Sequence, residues 1–316
     1  MVLHLKRGLS VSLAEAARSP MTSALNDKRP WLRLAGFIPF AFLSMFVTLV
    51  VIALIAMLVP ALGDRLEVLG DRMDDTPLRL VEDSIRTLIF GVTVSCVTLS
   101  LLVAAAATWR RPLKDFLWPG RRFDPKLFGV GFLAITAISV MWVPVELMSG
   151  SEWRPPVLDS YYVGHTRLLY AGVMVGAVLA GAAAEEVMFR GVLLRVTGLF
   201  TRHALPLCLI NGLLFSAIHL DPDPVAFIAR TISGMGWTWA ALRLGGLEFA
   251  VGGHFANNLF IALMWTPFAT GAMDPPALPW SAVIPQLITT SIVLATVEWL
   301  ARRGAGQAAS LPARSA

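Results

Sequence analysis

The chain has 316 residues, 56% of them hydrophobic and only 15% charged, and its mean hydropathy of +0.68 excludes an ordinary soluble domain. Its apolar residues come in blocks long enough to cross a bilayer, so the expected fold class is an all-α polytopic membrane bundle. The net charge of +5 is not a nucleic-acid footprint and no nucleic-acid partner is expected: Lys and Arg cluster in short loops between apolar blocks, where they set membrane orientation.

Residues 1–34 are too polar, for too long before the first apolar run, to be a cleavable signal peptide. They read as a cytoplasmic segment carrying a short amphipathic helix. Candidate spans follow at about 35–62, 87–109, 128–148, 168–198, 204–220, 224–243, 249–267 and 280–300. Together they define one transmembrane domain over 35–300, and 301–316 read as a small, polar, disordered cytoplasmic tail. Arg110, Arg111, Lys114, Arg121, Arg122 and Lys126 crowd the loop after the second span, and the loop after the seventh holds no Lys or Arg. This bias places both termini in the cytoplasm, and the alanine-rich character suggests a bacterial inner membrane. Oligomeric state leaves no signal. Cys96 and Cys208 lie in apolar stretches and read as small buried hydrophobes.

The fourth span carries Gly172, Gly176, Ala180, Gly181 and Ala184, small residues that let neighbouring helices approach and place this helix at the bundle centre. Glu185 and Glu186 stand mid-helix, more than fifteen residues into the span. Each carboxylate in a membrane helix costs about 2.5–3.5 kcal/mol on insertion scales, which makes the pair a functional-site hypothesis by default. Arg190 is four residues after Glu186 and can pair with it on one helix face. Glu185 is rotated by about 100° and lacks that partner. Next to a second carboxylate in a poorly solvated cavity, it suits a general base. The alternative is a buried ion pair, or a helix end at the membrane interface.

In the fifth span Phe215 precedes His219 by four residues, with Asn211 two turns before His219 on roughly the same face. In the seventh, His254 and Asn258 share a face after Gly252 and Gly253, while Asn257 points elsewhere and reads as packing or capping. An imidazole beside a carboxamide can hold a developing oxyanion; the plainer account is an interhelical hydrogen-bond pair. Arg230 in the sixth span pairs with an acid or a substrate carboxylate, or snorkels. Glu146 and Glu298 read as interfacial. Two carboxylates, an Arg, two His and an Asn on three helices are what peptide-bond hydrolysis requires and few structural roles need.

The order Glu185-Glu186-Val-Met-Phe-Arg190, Phe215-Ser-Ala-Ile-His219, His254-Phe-Ala-Asn-Asn258 resembles the CAAX-processing and bacteriocin-processing proteases (the CPBP or Abi family) over about 168–267. The resemblance implies an intramembrane endopeptidase, a helical bundle with its site in a cavity open toward one face. It also implies roles: Glu185 activates water with His219 assisting, and His254 and Asn258 stabilise the oxyanion. The cofactor is left unknown. A zinc on Glu185, His219 and His254 matches the three-ligand pattern of hydrolytic sites, and the residues do not choose between metal-bound and metal-free water. The expected substrate is a membrane-anchored or leader-bearing peptide rather than a prenylated one.

One tension is visible. With full-length spans His219 lies near the outer end of its helix, Glu185 mid-helix, and His254 near the cytoplasmic end of its own. The fifth element must therefore be short or start deep, with Asp221–Pro224 lining the cavity. Competing readings are a catalytically silent scaffold of the same fold that regulates a membrane partner, and an ion-coupled transporter; the absence of an internal repeat disfavours the latter.

Overall fold

The computed structural model describes residues 2–23, 29–58, 77–148, 153–265 and 278–310, and every regular element within them is helical. They comprise α1 (Val2–Ala17), α2 (Pro20–Ser23), α3 (Pro30–Leu58), α4 (Arg79–Trp109) and α5 (Pro125–Met148). Then come α6 (Gly164–Glu186, continuing as a π segment over Val187–Leu193 and a last turn to Thr197), α7 (Ala204–Ala217), α8 (Pro224–Leu244), α9 (Glu248–Met264) and α10 (Val283–Ser310). The eight helices from α3 to α10 fall on the eight expected spans. Among the described residues five stretches are long and apolar enough to cross a membrane: α3, α4, Pro125–Val145 of α5, α6 through Thr197, and Trp280–Arg303 leading through α10. Large apolar side chains along α3, such as Phe42 (71% exposed) and Phe46 (64%), form the continuous outward face that lipid covers.

Boundaries differ from the sequence reading in informative places. α4 begins eight residues early, because its polar first turns bury Asp83 and Arg86 against the bundle instead of leaving them in a loop. α10 runs on to Ser310, past residue 300 where the reading ends the last span. The acid-rich stretch after the first span (Asp64, Glu67, Asp71, Asp74, Asp75) and the Glu146 side chain lie outside the described residues.

α6 packs centrally, but by only part of its small-residue stripe. Gly181 faces Phe90 and Gly91 of α4, whereas Gly172 and Gly176 look into open space. Two closer contacts shape the site. Gly252 of α9 lies so near the Phe128 carbonyl of α5 that an added Cβ would clash with it. Gly212 of α7 and Gly234 of α8 meet nearly backbone to backbone, a Cβ on Gly234 falling 2.9 Å from the Gly212 Cα.

At the end holding the 110–124 loop, α1 and α2 seal the bundle. Glu298 of α10 accepts from Ser12 (2.7 Å), from Arg243 Nε (2.7 Å) and from Trp239 (3.1 Å), and Arg243 also reaches Glu15 at 2.8 Å. Glu298, expected at a span end, is the centre of a polar knot there; its partners come from α1 and α8, too far away in sequence for spacing to reveal. Arg121 of the loop grips buried Glu248, at the first turn of α9, through two bonds of 2.7 Å.

Candidate active site

Glu186 is fully buried at the end of the α-helical part of α6. The π segment begins at the next residue and carries Arg190, also fully buried. Such widened turns are concentrated at functional sites. Arg190 Nη1 donates to Glu186 Oε1 at 3.0 Å, so the expected pair forms, and Nη2 donates to the Gly234 carbonyl at 3.0 Å. That second bond explains the glycine contact between α7 and α8, which brings an α8 carbonyl within reach of the guanidinium.

His254, in α9, joins the same carboxylate: its Nδ1 lies 2.9 Å from Glu186 Oε1. A carboxylate only accepts, so Nδ1 carries the proton. The other ring nitrogen, Nε2, is 3.1 Å from Nδ2 of Asn258 and 3.7 Å from Oε2 of Glu185. Glu185 keeps 15% of its side chain exposed where Glu186 keeps none. Glu186 is thus held by Arg190 and His254, and Glu185 turns a more accessible carboxylate to the imidazole.

Phe215 is the hub that spacing does not reveal. Its ring lies 4.6 Å under the Arg190 guanidinium and packs edge-on against His219 (5.0 Å), His254 (5.8 Å) and Phe189 (5.1 Å). Both histidines thus flank one phenyl ring. α7 is only 14 residues long, about 21 Å against a hydrocarbon core of about 30 Å, so a short fifth element resolves the depth tension. His219 follows it in a turn, exposed, with Nδ1 donating to the Phe215 carbonyl at 2.8 Å. The next residue, Leu220, has φ of 51°, a left-handed conformation unfavourable for a branched side chain.

The turn is pinned by two aspartates. Asp221 accepts from the Asp223 backbone (2.9 Å) and from Arg230 (2.7 Å), which settles Arg230 on an acid of its own chain. Asp223 caps α8, accepting from Val225 and Ala226, and accepts a 2.7 Å bond from the Leu278 backbone. Those backbone N–H groups hold the Asp223 carboxyl below the ordinary aspartate range. Asp221 is likewise lowered, first by the Asp223 N–H and then by Arg230. Asn211, expected to lend polar company to His219, instead turns its amide to Thr197 and the Leu207 carbonyl.

Among the described residues no three His, Cys, Asp or Glu side chains are grouped as ligands, and the His254 Nε2 lone pair that a zinc would require is already engaged by Asn258. The set Glu185, His219 and His254 does not fit as arranged.

Residues 167–260 match the family model described as type II CAAX prenyl endopeptidase Rce1-like. Over this stretch the chain is similar to that family. The match covers the three motifs and agrees with the resemblance they carry. The chain is also 28% identical over 165 residues to the uncharacterized protein YyaK of Bacillus subtilis (strain 168). That alignment takes in 50% of this chain and 54% of the relative, so the chain spans about half the length of the curated relative it matches. No solved structure matches it.

Proposed function

We propose that the protein is an intramembrane endopeptidase, with both termini cytoplasmic, that hydrolyses a peptide bond in a membrane-anchored or leader-bearing peptide. The observation that carries the reading is the approach of Glu185 Oε2 to Nε2 of His254, 3.7 Å apart, beside the side-chain amide of Asn258.

Glu185 takes a proton from water as the hydroxide adds to the scissile carbonyl carbon. The second N–H of Asn258 Nδ2 donates to the oxyanion. His254 accepts at Nε2 beside Glu185 and helps to orient the attacking water, while Glu186 at Nδ1 holds the ring in that tautomer. His219, with Nδ1 bound to the Phe215 carbonyl, offers Nε2 as a second acceptor at the mouth. Collapse of the tetrahedral intermediate breaks the C–N bond, and the proton held by Glu185 passes to the departing amine.

The test compares membrane-fraction proteomes of cells carrying wild type or Glu185→Ala. A cleavage present in wild type and missing in the variant, at equal folded abundance, supports the endopeptidase. No cleavage by wild type, with a partner protein still co-purifying, replaces it with a scaffold. Loss of activity on chelation, restored by zinc, would overturn the metal-free water.

A further inference from the structure

We propose that Asn257 is a positioning residue: by donating to Asn258 it fixes which edge of that amide faces His254, and so keeps a lone pair on His254 Nε2. This rests on the reading of the site as a hydrolytic centre, although the device can be observed without any turnover.

The hydrogen bonds run in one direction. Asn257 Nδ2 donates to Asn258 Oδ1 at 3.0 Å, Asn258 Nδ2 faces His254 Nε2 at 3.1 Å, and His254 Nδ1 faces Glu186 Oε1 at 2.9 Å. Each link determines the next. An ionised carboxylate has no proton to give, so Nδ1 holds one, and a neutral ring then has only a lone pair at Nε2. That lone pair demands the NH2 edge of Asn258. If Asn258 turned over, its NH2 would confront the NH2 of Asn257, donor against donor, and its oxygen would invite a proton onto Nε2. Asn257 is the group that makes the turned state unfavourable.

Asn257 also borders a small cavity between α8, α9 and α10, lined by Ser233, Gln286, Thr289 and Thr290 together with Trp237 and Val293. Gln286 is fixed by donating to Thr290 at 3.0 Å. At about 10 Å³ the cavity admits about one water, for which the hydroxyls and amide of the wall are partners. The Asn257 amino group is directed toward Asn258.

The consequence is chemical. With Nε2 unprotonated, the imidazole and Glu185 present two acceptors 3.7 Å apart to the same region. Protonation of Nε2 would place an N–H against Glu185 and occupy the carboxylate that the reaction needs free.

The experiment is ¹⁵N NMR of the purified full chain labelled at histidine, with the His254 signals assigned by their loss in His254→Gln. Wild type is expected to show a pyrrole-type Nδ1 and a pyridine-type Nε2 for His254. Asn257→Leu keeps the volume and removes the donor; it is expected to give mixed tautomers. Asn257→Asp, ionised above neutral pH, reverses the Asn258 amide and protonates Nε2. An Nε2–H in wild type overturns the proposal, and this measurement needs no variant to fold. A pyridine-type Nε2 unchanged in both folded variants overturns it too. On a substrate found by proteomics, Asn257→Leu lowers kcat about tenfold, the scale for groups that fix a tautomer from outside the site, with KM unchanged. If wild type cleaves nothing while the NMR result holds, the endopeptidase reading fails and the role of Asn257 stands; the reverse outcome separates them the other way.

Discussion

Glu186 and His254 are joined by a 2.9 Å contact between helices 68 residues apart in sequence. The same oxygen accepts from Arg190, so one fully buried carboxylate balances a guanidinium and orients an imidazole. Glu186→Gln removes the charge and keeps the shape. It leaves Arg190 buried and uncompensated, a change that costs roughly 3–5 kcal/mol in such pairs. Thermal unfolding in detergent micelles should show a large fall in midpoint for Glu186→Gln. The double variant Glu186→Gln with Arg190→Met should recover part of it, because no charge is then stranded. A double variant as unstable as the single one would contradict this account.

Glu185 should behave in the opposite way. Its nearest described partner is the 3.7 Å approach to His254, beyond hydrogen-bond length, so Glu185→Gln sacrifices little binding energy in the fold. Its unfolding midpoint should match wild type within a degree or two, while cleavage of a proteomically identified substrate falls by about 10²–10⁴, the usual worth of a general base. A variant that unfolds early would show that Glu185 supports the fold rather than the chemistry.

The loop carboxylates give a pH dependence of known sign. Asp223 is held below the ordinary aspartate value of 3.8 by the N–H groups of Leu278, Ala226 and Val225. A depressed folded value contributes stability that is present above 3.8 and lost as pH falls through the folded value. The Leu278 amide resonance should therefore be constant from pH 7 to about 4 and move only at lower pH. Asp223→Asn, still able to cap through its carbonyl oxygen, should abolish that transition. A Leu278 shift centred near neutrality would exclude Asp223 as its cause.

Much of this architecture is legible in the chain itself. Blocks of apolar residues give the eight main helices because the bilayer demands internally bonded backbone over a fixed thickness. The Glu186–Arg190 pair follows from local geometry, as does the separation of Glu185 from it. What is not legible depends on contacts across many residues. The Glu298 knot joins α1, α8 and α10, and none of Ser12, Glu15 or Arg243 signals the others. The outward orientation of Gly172 and Gly176 shows that a small-residue stripe need not be buried throughout. The role of Asn257 is hidden because its partner is the adjacent residue, which helical spacing places on a different face; the amides bond only because both side chains bend toward the same edge.

Phe215 offers the sharpest test of how the three motifs are held together. Its ring touches Arg190, His219 and His254 at 4.6, 5.0 and 5.8 Å, and no polar bond replaces these contacts. Phe215→Ala should cost roughly 3–5 kcal/mol, as for other buried aromatics. It should also loosen His219, which loses the ring contact and keeps, among the described residues, only its Nδ1 bond to the residue 215 carbonyl. Phe215→Leu restores most of the volume but neither the cation–π face nor the edge-on ring contacts. Unfolding midpoints should therefore rank wild type, Leu, Ala. Activity in the Leu variant should fall further than its stability does, because a misplaced group of about 1 Å can cost 10²-fold in rate. Equal activity in the Leu variant and wild type would show that the ring fills space without aligning the histidines.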